Sequence, residues 1–232
     1  MLKLVSGVHQ FQKSAFGERR DLFRQLAHGQ TPHSLFITCA DSRIVPALLT
    51  QSDPGDLFIL RNAGNLVPAY GQTLGAEAAA IEYALHALRV EHIVVCGHSL
   101  CGAMSALVDP GLARDMPAVG NWLSHAAATR RILTENYAGL SPDAVLNVAI
   151  QENVLVQLEN LRTHPIVAAR LAAGRLHLHG WVYEIATGDV AAFDPEVQQF
   201  TSLSHHESPA RPRSLGSFDR ALSRRAARGE AS

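Results

Sequence analysis

His92-Ile-Val-Val-Cys96-Gly97-His98-Ser-Leu-Cys101-Gly102 is the stretch on which the reading of this chain turns. Its opening run is short, apolar and β-branched, which suits a strand buried on both faces better than a helix. Gly97 stops the run, and His98 and Cys101 follow between two glycines, a spacing that allows a tight turn aiming both side chains one way. Upstream, Ser34-Leu-Phe-Ile-Thr38 is a similar run ending at Cys39, and Leu57-Phe-Ile-Leu60 is another, behind a Pro54-Gly55 turn. The Ala-, Glu- and Leu-rich segment Leu74 to Leu88 predicts a helix between them and the central run. Downstream, Asn121 to Tyr137 and Ala144 to Leu161 predict two more helices. The second places Val145, Val148, Ala149, Asn153, Val156 and Leu158 near one another at helical spacing. Arg175 to Tyr183 alternates as a fourth strand, and Thr187-Gly188-Asp189 turns it toward a candidate antiparallel edge strand, Val190 to Phe193. Strands alternating with helices predict an α/β fold: a mainly parallel sheet of four strands plus that edge strand, flanked by helices.

Outside this block the composition changes. Residues 1–30 carry Phe11, Phe16, Leu22, Phe23 and Leu26 at helical spacing among charges, which predicts an N-terminal helical arm. Residues 31–201 form the α/β domain. Residues 202–232 hold Arg211, Arg213, Arg220, Arg224, Arg225 and Arg228 among Ser, Pro and Ala, with little to bury, and read as an Arg-rich mobile tail. The whole chain has 232 residues, 47% hydrophobic and 18% charged, so it can bury a sizeable core. A formal charge of -1 gives no reason to expect a nucleic-acid surface. No apolar run approaches the ~20 residues that span a bilayer, and Met1 to Gln12 is too broken for a secretory signal. A cytoplasmic protein is expected. Three cysteines are too few and too odd for a disulfide framework, which leaves metal binding or catalysis open.

Cys39 ends the first predicted strand, and His98 and Cys101 lie just past the third. In an open parallel sheet, ligands gather beyond the carboxyl ends of the strands. Two thiols and an imidazole favour zinc, and three donors rather than four is the number of a catalytic site. C…H-x-x-C alone is a loose pattern, and a single buried Cys or His more often simply packs. Cys96, inside its strand, belongs to packing. Two residues past Cys39, Asp41 is followed by Arg43, and the two can pair bidentately. Asp41 could orient a water at a metal or close the site as a fourth ligand. It could equally cap the helix that begins near Pro46.

Taken together, Cys39-Ala-Asp-Ser-Arg43, Arg61-Asn-Ala-Gly-Asn65 and His98-Ser-Leu-Cys-Gly102 resemble the signature of the β-class carbonic anhydrases. The resemblance runs over roughly residues 10–200. It takes in the Pro-Gly turn, the Glu82-Tyr83 helix and Gly180-Trp181, and is nearest the bacterial and cyanobacterial members with a plant-like active site. It implies that Cys39, His98 and Cys101 bind one Zn2+ per chain and that Asp41 and Arg43 form the catalytic carboxylate–guanidinium pair. Gln30, Phe58 and Tyr83 match the residues of the carbon dioxide pocket, which in the family come from the neighbouring subunit of a dimer. Gly102 matches the residue whose backbone N–H helps place substrate, and Ala63 stands where many relatives carry valine. The implied activity is reversible hydration of carbon dioxide to bicarbonate and a proton by zinc-bound hydroxide, in a homodimer or a dimer-based higher oligomer, with neither nucleic acid nor membrane as partner.

Two alternatives stand beside it. Hydrolysis of carbon disulfide or carbonyl sulfide uses the same ligands. A non-catalytic zinc assembly protein would be expected to lack Asp41, Arg43 or a ligand, and all five are present. One departure is informative. Some bacterial relatives bind bicarbonate at a second, regulatory site built from a Trp, an Arg and a Tyr. Here Arg61 and Tyr183 match, but Phe36 replaces the Trp and has no indole N–H. The regulatory pocket is therefore expected to be absent or weakened, with the zinc site held open at neutral pH.

Overall fold

The structure, a computed structural model, describes residues 1–203. Six strands form one sheet in the order β2-β1-β3-β4-β5-β6: β1 Ser34–Cys39, β2 Leu57–Asn62, β3 His92–His98, β4 His177–Tyr183, β5 Val190–Asp194 and β6 Gln199–Ser202. The first four in that order are parallel, and β5 and β6 are antiparallel. The expected α/β architecture with an antiparallel edge is present, extended by β6. That strand has four residues on the outer edge and carries too short an alternation to be read from composition.

The reason the central runs are apolar throughout is visible in the packing. Leu35, Ile37, Ile93, Val95 and Leu178 face the main core, with Val154, Leu158 and Leu161 of the long helix α9 (Pro142–Thr163) and Ile81, Ala84 and Leu85 of α5 (Ala76–His86). (Helices α1–α4, α6–α8 and α10 are Leu2–Gln10, Phe16–Glu18, Arg20–Leu26, Pro46–Thr50, Gly102–Val108, Pro117–Leu123, Ala127–Asn136 and Pro165–Ala172.) The other face carries Phe36, Val94 and Cys96, packed with Ile44, Leu49, Trp181 and Tyr183. Cys96 is fully buried there, and burial alone pushes its thiol pKa up, so it is packing. The approach of α9 to the sheet depends on two glycines. A Cβ on Gly180 would lie 2.9 Å from Val154 Cγ1 and 3.0 Å from Leu158 Cδ1, and one on Gly97 would lie 3.0 Å from Val154 Cγ2.

The N-terminal segment forms α1, α2 and α3, joined by a π-helical turn over Phe11–Ala15, and none of these helices buries a residue. Phe11, Phe16 and Phe23 cluster on one another with centroids 5.2–6.0 Å apart. The single helix expected over 121–137 is broken into α7 and α8 by a 3-10 turn at Ser124–Ala126. Ser202 closes β6, and the Arg-rich stretch from 204 onward lies outside the described residues.

Candidate metal centre

Strands β1 and β3 are hydrogen-bonded neighbours, with Thr38 opposite Cys96, so Cys39 and His98 leave the sheet side by side at its carboxyl edge. Cys101 returns to the same point as the N-cap of α6. The chain can turn that tightly because Leu100 takes a left-handed conformation, φ 56°. The ligand atoms of Cys39, His98 and Cys101 all lie within 4.8 Å of one another, and the two sulfurs are 3.9 Å apart. All three residues are buried.

The fit to a cation rests on His98. Its Nδ1 lies 2.9 Å from the Ser99 carbonyl, which can only accept, so Nδ1 carries the proton and Nε2 the lone pair. That Nε2 is buried without a hydrogen-bond partner. A buried, unpartnered imidazole lone pair beside two thiols is costly unless something electrophilic completes it, and a Cys2His donor set is a zinc set. Backbone donors support the sulfurs: the Gly64 N–H lies 3.4 Å from Cys39 Sγ, and the N–H groups of Ala103 and Met104 bond Cys101. The hydrogen bond with Cys101 above all holds Cys39 far below the usual thiol range, against the cost of burial. The same Cys39–Cys101 bond, together with burial, pushes Cys101 up. A divalent cation held by the two sulfurs would take the place of their protons.

Asp41 and Arg43 meet as a fork. Asp41 Oδ1 accepts from Arg43 N and Nε, both at 2.9 Å, and Oδ2 accepts from Arg43 Nη2 at 2.8 Å. These bonds hold the Asp41 carboxyl well below the usual carboxylate range. Asp41 does not cap α4, whose N-cap is Val45. Instead Oδ2 stands 3.8 Å from His98 Nε2, at the mouth of the three-donor cluster. Arg43 Nη2 also donates to the Leu100 carbonyl at 3.0 Å, tying the Asp41 loop to the turn between the ligands. Arg61 spends its donors on the carbonyls of Cys39, Asp41 and Ile44, at 3.1, 2.7 and 2.9 Å. Tyr183 packs with Phe36, Ile44 and Trp181.

The residues that the resemblance assigns to substrate divide into two groups. Gly102 begins α6, where a first-turn N–H has no intrahelical acceptor, and the Ala63 carbonyl accepts from Trp122 Nε1 at 2.8 Å beside the cluster. Phe58 and Tyr83 lie together, ring centroids 5.9 Å apart, but Phe58 pairs with Leu35 at the opposite end of β1. Four residues of strand separate that level from Cys39, roughly 13 Å. Gln30 precedes β1 and lines a depression of about 480 Å³ with Leu26, His28 and Gly55, again away from the cluster. Within one chain these three do not reach the metal ligands.

Supporting residues to which the sequence reading gave no role at the site are polar and far from it in sequence. Asn153, placed by spacing only on one helix face with Val145, Val148, Ala149, Val156 and Leu158, is buried and donates from Nδ2 to the Gly64 carbonyl at 2.9 Å. Gln157 donates to Asn153 Oδ1 at 2.9 Å and accepts from Val67 N–H at 2.8 Å. With Trp122 they clamp the Arg61–Asn65 loop that presents Gly64 N–H to Cys39. Two amides, Asn153 and Gln157, on a helix face otherwise packed with aliphatics are the signal the sequence offers.

Comparison with known proteins agrees with this geometry. A carbonic anhydrase family profile matches residues 34–190. A carbonic anhydrase of Synechococcus elongatus is 53% identical over 212 residues, 91% of this chain and 77% of that protein. Carbonic anhydrase 1 of Escherichia coli O157:H7 is 49% identical over 88% of this chain and 93% of its own. Among solved structures, the β-carbonic anhydrase CcaA superposes with a TM-score of 0.86 at 49% identity, over 87% of this chain and 98% of that one. With likeness of this extent in both sequence and fold, the chain belongs to the β-carbonic anhydrase family.

Proposed function

We propose that this chain catalyses the zinc-dependent, reversible hydration of carbon dioxide to bicarbonate and a proton. The observation that carries the reading is the buried Cys39–His98–Cys101 cluster with an Arg-locked carboxylate, Asp41, 3.8 Å from the unpartnered His98 nitrogen. Cys39, His98 and Cys101 would hold the metal, which when bound supplies Lewis-acid activation of water near neutral pH. Asp41 is anionic and acceptor-only, so Oδ2 takes the proton-bearing side of the attacking water and leaves its lone pair toward the substrate carbon. Arg43 keeps that carboxylate from rotating and from taking up the proton itself. The Gly102 N–H is placed to donate to a substrate oxygen as negative charge develops there.

Gln30, Phe58 and Tyr83 serve the site of a second copy of the chain, so the working unit is a homodimer or a dimer-based oligomer. Their distance from their own chain's cluster supports this, as do the apolar side chains of the arm over residues 1–30, with Leu4, Val8 and Phe11 exposed. Residues 31–201 then form the catalytic domain. Among the described residues no helix is long and apolar enough to cross a membrane, and we place the enzyme in the cytoplasm, acting on a small dissolved gas. Stopped-flow assays with carbon dioxide, carbonyl sulfide and carbon disulfide side by side test the substrate. Carbon dioxide is expected to turn over fastest, and turnover of the sulfur gases alone would contradict the reading.

A further inference from the structure

We propose that Ser99 and Glu184 act together as positioning residues for His98, an inference that rests on Cys39, His98 and Cys101 being the zinc ligands. Ser99 continues the β3–β4 ladder one step past the His98–Tyr183 pair, its N–H donating to the Tyr183 carbonyl at 2.9 Å. Its hydroxyl donates to Glu184 Oε1 at 2.7 Å and accepts from the Ile185 N–H at 2.9 Å. Glu184 is itself fixed. Oε1 also accepts from the Ala186 N–H at 3.2 Å, and its backbone closes the turn to Gly188 and Asp189 at 2.9 and 2.8 Å.

Ser99 is thus tied to the end of β4 through its N–H, its hydroxyl proton and its hydroxyl lone pair. What remains is its carbonyl, directed at His98 Nδ1. A carbonyl adjacent in sequence to the ligand can swing with one backbone rotation. Three bonds to a neighbouring strand and turn remove that freedom. An acceptor held at Nδ1 selects the tautomer whose Nε2 lone pair faces the sulfurs and fixes the ring's orientation. Ser99 is buried, so its hydroxyl needs a partner, and a carboxylate gives a stronger hydrogen bond than a neutral acceptor.

Zinc affinity of the full-length protein, measured by competition with a chromogenic chelator, tests the proposal. Ser99→Ala and Glu184→Ala are each expected to weaken zinc binding about 10–100-fold. Ser99→Thr and Glu184→Gln, which keep the donor and the acceptor, should stay within about threefold of wild type. The double alanine variant should lose no more than the weaker-binding single variant, because both act through one contact. In the cobalt(II)-substituted protein, the visible bands should shift in Glu184→Ala and return in Glu184→Gln, which a general loss of folding would not produce. Wild-type affinity and bands in both alanine variants would overturn the proposal, as would a double variant whose loss is the product of the two singles. A wild-type chain that takes up no zinc would refute the ligand assignment itself, a distinct result.

Discussion

In the proposed mechanism Asp41 must be anionic and must point one way, and the hydrogen bonds from Arg43 favour both. Asp41→Asn keeps the shape and the metal ligands but loses the charge. Zinc content should be unchanged while the hydration rate falls at least ~10²-fold, and a wild-type rate would remove Asp41 from the mechanism. Arg43 lowers the Asp41 pKa, so in the native protein the carboxylate stays ionised far below the ordinary range. Arg43→Ala should let it return toward about 4, moving the acid limb of the rate–pH profile upward; an unmoved limb would contradict the pairing. Phe36 predicts a third result: bicarbonate soaked into crystals leaves Asp41 on Arg43, and its displacement onto the metal would show the regulatory pocket to be intact. The five residues of the centre were legible because they fall in two short segments that carry the family resemblance; spacing and donor chemistry alone left the C…H-x-x-C pattern loose and Asp41 open between the metal and a helix cap. Glu184 and Asn153 were not, because their partners Ser99 and Gly64 lie 85 and 89 positions away and only folding joins them.

Among the elements, β1 and β3 declared themselves because burial on both faces demands unbroken apolar runs. Strand β2 showed the same kind of run although it lies at the partly exposed edge, and β4 showed itself by alternation. The edge strand β6 has four residues, none of them buried, and α6, Gly-Ala-Met-Ser in its first turn, has no side-chain cap to announce it. The contact that fixes the layers is α9 on β4. Gly180→Ala would put a methyl against Val154 and Leu158 and should cost about 1–3 kcal/mol in chemical denaturation; no loss would mean that α9 yields freely. Near the start of the same strands, His92 Nδ1 and His179 Nε2 are 3.1 Å apart. Burial, then the charges of His92 and His177, lower His179 to about 4. The unfolded chain protonates this residue near 6.5 and the folded one resists, so stability is full above that pH and declines as pH falls from about 6.5 to 4. The decline attributable to His179 is roughly 3 kcal/mol. His179→Gln should flatten the stability–pH curve in that window, and an unchanged slope would contradict the assignment.

At the scale of the whole molecule, the sheet separates the residues proposed for the site end from end: Cys39 and His98 at the carboxyl edge, Gln30 and the Phe58–Tyr83 pair at the other. A site that needs both must borrow from a second chain. Co-assembly of Cys39→Ser with Gln30→Ala tests this, since a mixed dimer holds one site with every residue intact. Each variant alone should be inactive or nearly so, and co-assembled material should recover activity; no recovery would place Gln30 outside the shared site. Metal content and hydration rate, measured on the same samples, bear on the proposed zinc chemistry itself. Zinc per chain and the stopped-flow rate of carbon dioxide hydration should be near one and fast in the wild-type protein, and both should be lost in Cys39→Ser. Hydration at the wild-type rate in a zinc-free Cys39→Ser protein would contradict it.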